Sequence, residues 1–211
     1  MNKIISILLL LLLAFTCSSC TRVLMKTMGV EEIKQVDTNK INAFYEKNNL
    51  QTFPHLLVDT TYYDNIRAFA GSDSLLLKNL YQPLRVYYFD KEKLVSLHLN
   101  CNAADSTKMN IGSVSKLNWN AYGRFEVFPP ISSMELTSFD LNISALEQQL
   151  NNPLRNPSKR YTIVVVWTNL LPKQSRLLIQ QVQENMSRFP SDAQLILVNS
   201  DALYADAEFG R

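Results

Sequence analysis

Two histidines, three cysteines and an acidic C-terminal group are where covalent, redox or metal chemistry would start in this 211-residue chain. His98 and Cys101 stand three apart, a spacing that unites two ligands on a helix but puts them on opposite faces of a strand. Their surroundings are strand-like, because Val95, Leu97, Leu99 and Cys101 alternate with Ser96, His98 and Asn100. That alternation points Cys101 into a core, where a cysteine acts as a small hydrophobe. The alternative is a reactive thiol at Cys101, the nucleophile of a single-thiol redox enzyme. His55 is the other histidine, and two histidines with no supporting motif do not make a metal site or a Ser/His/Asp triad. Asp201, Asp206 and Glu208 lack the glycine and the spacing of a calcium loop and read as a solvated acidic end. No glycine-rich phosphate loop or dinucleotide fingerprint occurs. No catalytic residue, metal or cofactor is therefore expected. Tyr62, Tyr63, Tyr87, Tyr88, Trp119 and Tyr122 either line a ligand groove or pack in the core, as strand aromatics commonly do.

The elements that must position these residues are clearest over 161–201. Residues 161–167 form a β-branched and aromatic run that suits a strand buried on both faces of a largely parallel sheet. Pro172 opens a helix, since its fixed φ and missing N–H fit the first turn. Leu171, Leu178, Val182, Met186 and Phe189 make the apolar stripe of that helix. Gln174, Arg176, Gln180, Gln181, Gln183 and Glu184 make its polar face, and Pro190 ends it. Residues 195–198 read as a second buried strand, parallel to the first through a right-handed crossover.

Upstream, 38–49 is a helix capped by Asp37 or Thr38, with Ile41, Phe44 and Tyr45 on one face. A short strand at 55–58 follows, then helices from 60 or 61 to 70, broken at Gly71, and from 72 to 81, ended by Pro83. Residues 85–89 and 94–101 form a hairpin around the polar turn 90–93. A long polar loop covers 102–116, and 125–128 reads as a short edge strand stopped by Pro129 and Pro130. Ile143, Leu146 and Leu150 mark a helix, and 151–159 a loop.

The order of a strand ending in Trp167, a short loop, a proline-led helix, a strand and Asp201 resembles the first βαβ half of a thioredoxin-like domain, over about 140–211. In that family a Trp-x-x-x-Cys-x-x-Cys motif follows the first strand. Aligned on Trp167, Leu171 and Gln174 take the two cysteine positions, so the resemblance implies a redox-inactive relative. The degenerate loop holds Trp167, Leu170, Leu171, Pro172 and Gln174. With Leu170 and Leu171 in a loop expected to be exposed, it offers an apolar contact for a protein partner. The family continues into a helix, a β-hairpin and a final helix, for which the ten residues after Asp201 leave no room. Either upstream strands complete the sheet, with the hairpin as the best candidate, or the domain is abbreviated.

Residues 1–19 read as a signal peptide. Lys3 is its positive end and 4–14 an apolar run too short for the about 20 residues of a bilayer span. Cys17, Ser18, Ser19 and Cys20 resemble a bacterial lipoprotein box of the Bacteroidota type, with Cys20 as the lipidated residue. The alternative is an ordinary cleavage nearby that releases a soluble protein. Acyl chains on Cys20 would hold the domain at a membrane of the cell envelope, with 20–36 as tether and 37–211 as a single α/β domain. The formal net charge of +2 argues against nucleic acid as a partner. With 46% hydrophobic residues and 5 glycines the chain has enough apolar material for a core. The sequence thus points to an envelope-anchored binding or scaffolding module, with a Cys101 enzyme as the alternative.

Overall fold

The computed structural model describes residues 29–99, 120–136, 141–189 and 192–205. Cys20, Cys101, Trp119, Asp206 and Glu208 lie outside them, as do 1–19 and 102–116.

Helix α1, Thr38–Lys47, begins where the Asp37 carboxylate accepts hydrogen bonds from the backbone N–H groups of Asn39 and Lys40, satisfying donors that a helix start leaves orphaned. Strand β1 is only His55–Leu57. Helix α2, Thr61–Ala70, stops at Gly71, whose φ of 57° is in the left-handed region that glycine adopts without strain. Helix α3, Ser74–Leu80, is capped by Asp73. Strands β2, Arg85–Asp90, and β3, Lys93–Leu99, make the expected hairpin. Its turn is tighter than expected, only Lys91 and Glu92, with Lys91 at φ 54°. Helix α4 is Ile143–Leu150, strand β4 Tyr161–Trp167, helix α5 Pro172–Ser187 and strand β5 Ala193–Asn199.

The five strands form one mixed sheet in the order β1-β5-β4-β2-β3. Strands β1, β5 and β4 run parallel, while β2 is antiparallel to β4 and β3 to β2. The βαβ unit and the sheet completed by the upstream hairpin are thus both present. Strand β4 is central and, apart from Tyr161, buried along its length, as its uninterrupted apolar run requires. Each fully buried valine, leucine or isoleucine there contributes about 1.5–3 kcal/mol.

Register sorts the side chains onto two faces. Arg85, Tyr87, Val164 and Val166 share one, covered by α2 and α4, which Asn65 joins by donating to the Gln149 carbonyl at 3.0 Å. Val86, Tyr88, Val165 and Trp167 share the other. It is covered by α1, where Phe44 stacks on Trp167 with ring centroids 4.1 Å apart, and by α5, where Asn185 meets the Tyr88 hydroxyl at 3.4 Å.

Four expectations are corrected. Residues 125–128 do not form an edge strand; Ala121–Glu126 is a 3₁₀ turn, followed by a cis Phe128–Pro129 bond. The turn is held by Asn185, whose Nδ2 donates to the carbonyls of Phe125 at 2.7 Å and Val127 at 2.8 Å. That buried amide reaching out of α5 replaces the ladder partner that an edge strand would need. Residues 29–36 are not a free tether, since Ile33 is buried in the core, the Glu31 N–H donates to the Leu170 carbonyl at 2.8 Å, and Lys40 pairs with Glu31. Gln174, assigned to the polar face of its helix, is fully buried. The polar half of β3 does not face water either, because Ser96 and His98 are buried beneath the 3₁₀ turn. Ser132 and Ser133 bond the Leu97 backbone and so cover β3, as edge strands of sheets generally need.

His98 lies against Phe125 with ring centroids 4.5 Å apart, and its Nε2 is 3.1 Å from the Ser96 hydroxyl. Burial, and then the nearby Arg124 charge, hold its pKa down at about 3 against the usual 6.5. Between those values the unfolded chain binds a proton that the folded chain does not. Stability therefore falls as pH drops below about 6.5, by about 1.4 kcal/mol per unit, or about 2 kcal/mol by pH 5. The lowered carboxylates Asp59, Asp90 and Glu147 start from usual values of 3.8 to 4.5, so their contribution is lost at lower pH. Urea unfolding from pH 7 to 5 should show this slope and His98→Phe should flatten it; an equal slope in the variant would remove His98 as its cause.

Candidate functional site

Ligands of open α/β sheets collect at the carboxyl ends of the parallel strands. In this chain that end is built from the residues after β4 and β5. Trp167 closes β4, and its indole N–H donates to the Tyr45 hydroxyl at 3.3 Å. Burial pushes the Tyr45 pKa up to about 12, so the phenol stays neutral. The loop from Thr168 to Leu171 then leads to Pro172 at the head of α5.

Asp201 follows β5 and opens a short 3₁₀ turn, Asp201–Leu203. It is not a solvated acidic end but a buried carboxylate, 2% exposed. Its Oδ1 accepts from the Thr168 hydroxyl at 2.7 Å and the Asn169 backbone N–H at 2.6 Å, and its Oδ2 accepts from Asn169 Nδ2 at 2.8 Å. Charge-assisted bonds of this kind are about twice as strong as neutral ones. More bonds close the loop. Ser175 Oγ donates to the Thr168 carbonyl at 2.8 Å, Ser200 N–H to the Trp167 carbonyl at 2.8 Å, and Leu170 N–H to Thr168 Oγ1 at 3.0 Å. One aspartate thus fastens the strand-to-helix loop of β4 to the end of β5.

The positions aligned with the thioredoxin-type cysteines are both inside. Leu171 is 6% exposed and Gln174 fully buried, and Leu170 is as buried as Leu171. The expectation of an exposed apolar loop is therefore overturned. The two leucines belong to the hydrophobic core, and the helix begins regularly behind them, with the Ser175 N–H bonded to the Leu171 carbonyl at 2.8 Å. No described residue is a cysteine. Among the described residues no three His, Cys, Asp or Glu side chains gather as a metal site, and no helix is long and apolar enough to cross a membrane. His55 is exposed and lies against the Tyr45 ring at 4.7 Å, far in sequence and in setting from the buried His98. Tyr62, Tyr87 and Tyr88 are core residues rather than a groove lining.

Two charged groups at this end escaped the sequence reading. Asp201 passed as surface, although it directly follows a buried parallel strand, where a carboxylate is placed to accept from the neighbouring loop. Arg85 reads in the sequence only as the first residue of the strand 85–89, yet it is fully buried and donates through Nη2 to the Tyr62 hydroxyl at 2.8 Å. The signal available was position, because β2 has to lie against β4, the most apolar strand of the chain. At the opposite end of the sheet the cations are neutralised, Arg155 by Glu92 and Glu147 and Arg160 by Asp90. Comparisons with family models, curated proteins and solved structures found no match for this chain.

Proposed function

We propose that this protein is a redox-inactive binding or scaffolding module with a thioredoxin-like sheet, held at a membrane of the cell envelope by a lipid on Cys20. The observation that carries the reading is the closed state of the loop after β4. Leu171 and Gln174 stand buried where the family has its cysteine pair, and Asp201 ties the loop down. A loop built this way favours rigidity over turnover. The parallel β1-β5-β4 half and the antiparallel hairpin beyond it support the fold part of the reading, with the hairpin supplied from before the βαβ unit rather than after it. The signal segment and the lipoprotein-like box support the anchor.

The test uses the chain from Thr21 onward, which retains every described residue. Turnover of a disulfide substrate should be absent, and Cys101 should react with a disulfide reagent only after denaturation. Turnover together with fast labelling of the native protein would establish the single-thiol enzyme instead. In the full-length chain, Cys20→Ser should abolish acyl incorporation and move the protein out of the membrane fraction; unchanged fractionation would sink the anchor.

A further inference from the structure

Arg85 is a buried cation whose hydrogen bonding is incomplete among the described residues. Its Nη2 meets the Tyr62 hydroxyl, and its guanidinium carbon lies 5.8 Å from the centre of the Tyr62 ring. The Nε and Nη1 donors have no partner among the described residues, and neither has the hydroxyl of Tyr87, two residues along and on the same face of β2. A guanidinium stays protonated in proteins. Moving such an ion out of water costs several kcal/mol unless an opposite charge and full hydrogen bonding compensate. Among the described residues its neighbours are polar but not anionic: burial pushes the hydroxyls of Tyr62, Tyr87 and Tyr204 up, which keeps them as neutral phenols. The position also fits a ligand, because Arg85 pairs in register with Val166, one residue before the carboxyl end of β4. The chain closes over this end through a reciprocal contact. Tyr81 at the end of α3 donates to the Leu203 carbonyl at 3.1 Å, and Tyr204 donates back to the Tyr81 carbonyl at 3.1 Å.

We propose that Arg85, with the hydroxyls of Tyr62 and Tyr87, forms an internal site for a small anion, the carboxylate or phosphate group of a free small molecule. The spare donors of Arg85 and the Tyr87 O–H bond the anion, while Tyr62 fixes the guanidinium. The site is independent of whether the loop after β4 is redox-inactive, since none of its residues belongs to that loop.

The probes are sodium phosphate and sodium acetate against sodium chloride at constant ionic strength. The protein, from Thr21 onward, is first refolded from urea in anion-poor buffer so that no ligand is carried over. An anion that binds only the folded chain should raise the unfolding midpoint with the logarithm of its concentration, by roughly 5–10 °C at a hundredfold excess over its Kd. The salt with the larger effect identifies the anion class. Arg85→Met should fold in plain buffer, because apolar residues replace buried ions with little or no loss, and should lose the response. Tyr87→Phe removes a hydroxyl with no partner among the described residues, so it should keep its midpoint in plain buffer and need roughly tenfold more anion. No selective response to either oxyanion, or a response that survives both substitutions, would overturn the site and leave water as the partner of Arg85.

Discussion

Asp201→Ala should cost about 4 kcal/mol, a large part of the 5–15 kcal/mol that holds a typical domain folded. The figure follows from what the carboxylate leaves behind. Its three donors, from Thr168 and Asn169, are buried, and a buried donor deprived of its acceptor loses about 1–3 kcal/mol. The three losses do not add in full, because a small cavity at residue 201 can admit water. Asp201→Asn, which keeps the shape but removes the charge and introduces donors facing donors, should cost about half as much. Urea unfolding at pH 7 reads both, and hydrogen exchange of the Asn169 amide should accelerate before global unfolding does. A loss below about 1 kcal/mol for the alanine variant would show that Asp201 does not fasten the loop. A double-mutant cycle with Thr168→Val would then separate the hydroxyl bond from the rest.

Leu171→Asp should also abolish or nearly abolish folding, by about 4 kcal/mol or more. Truncating a buried leucine alone costs about 2–5 kcal/mol, and the introduced carboxylate must either stay in water, pulling the loop out, or be buried without a partner. Lys173→Asp, at an exposed position two residues on, is the control. It should stay within about 0.5 kcal/mol of the parent, since surface changes are small and acids favour the first turn of a helix. If Leu171→Asp kept the parental urea midpoint, the loop would be exposed after all and would again be open to a partner.

Much of the fold was legible because its elements announce themselves locally. The βαβ unit at 161–201, the hairpin, the capped α1 and the stop at Gly71 follow from periodicity, Pro172, Asp37 and glycine. What was not legible depended on distant covering. Ser96 and His98 alternate as a solvent face would, and only the 3₁₀ turn packed over them makes that face internal. The strand reading of 125–128 rested on composition, and it failed because Asn185 of α5 satisfies that backbone instead. Leu170 and Leu171 read as available because loops usually lie outside; both belong to the core cluster that also takes in Ile33 of the segment read as tether, whose Glu31 N–H bonds the Leu170 carbonyl. Arg85 and Asp201 were missed for one common reason. A single charged residue beside an apolar run gives no sign of which way it faces, and both turned out to lie at the buried end of the sheet.

The order of the strands has a consequence for when the chain can assemble. Strand β5 is the last of the five in sequence yet lies between β1 and β4. Until residues 193–199 have left the ribosome, β1 has no neighbour to pair with, and the inner edge of β4 stays open. The nascent chain can form helices and the antiparallel β3-β2-β4 ladder early, but not the parallel half of the sheet. Because β5 fills the middle rather than extending a side, the parallel half of the sheet, and the core it closes, must wait for residues 193–199.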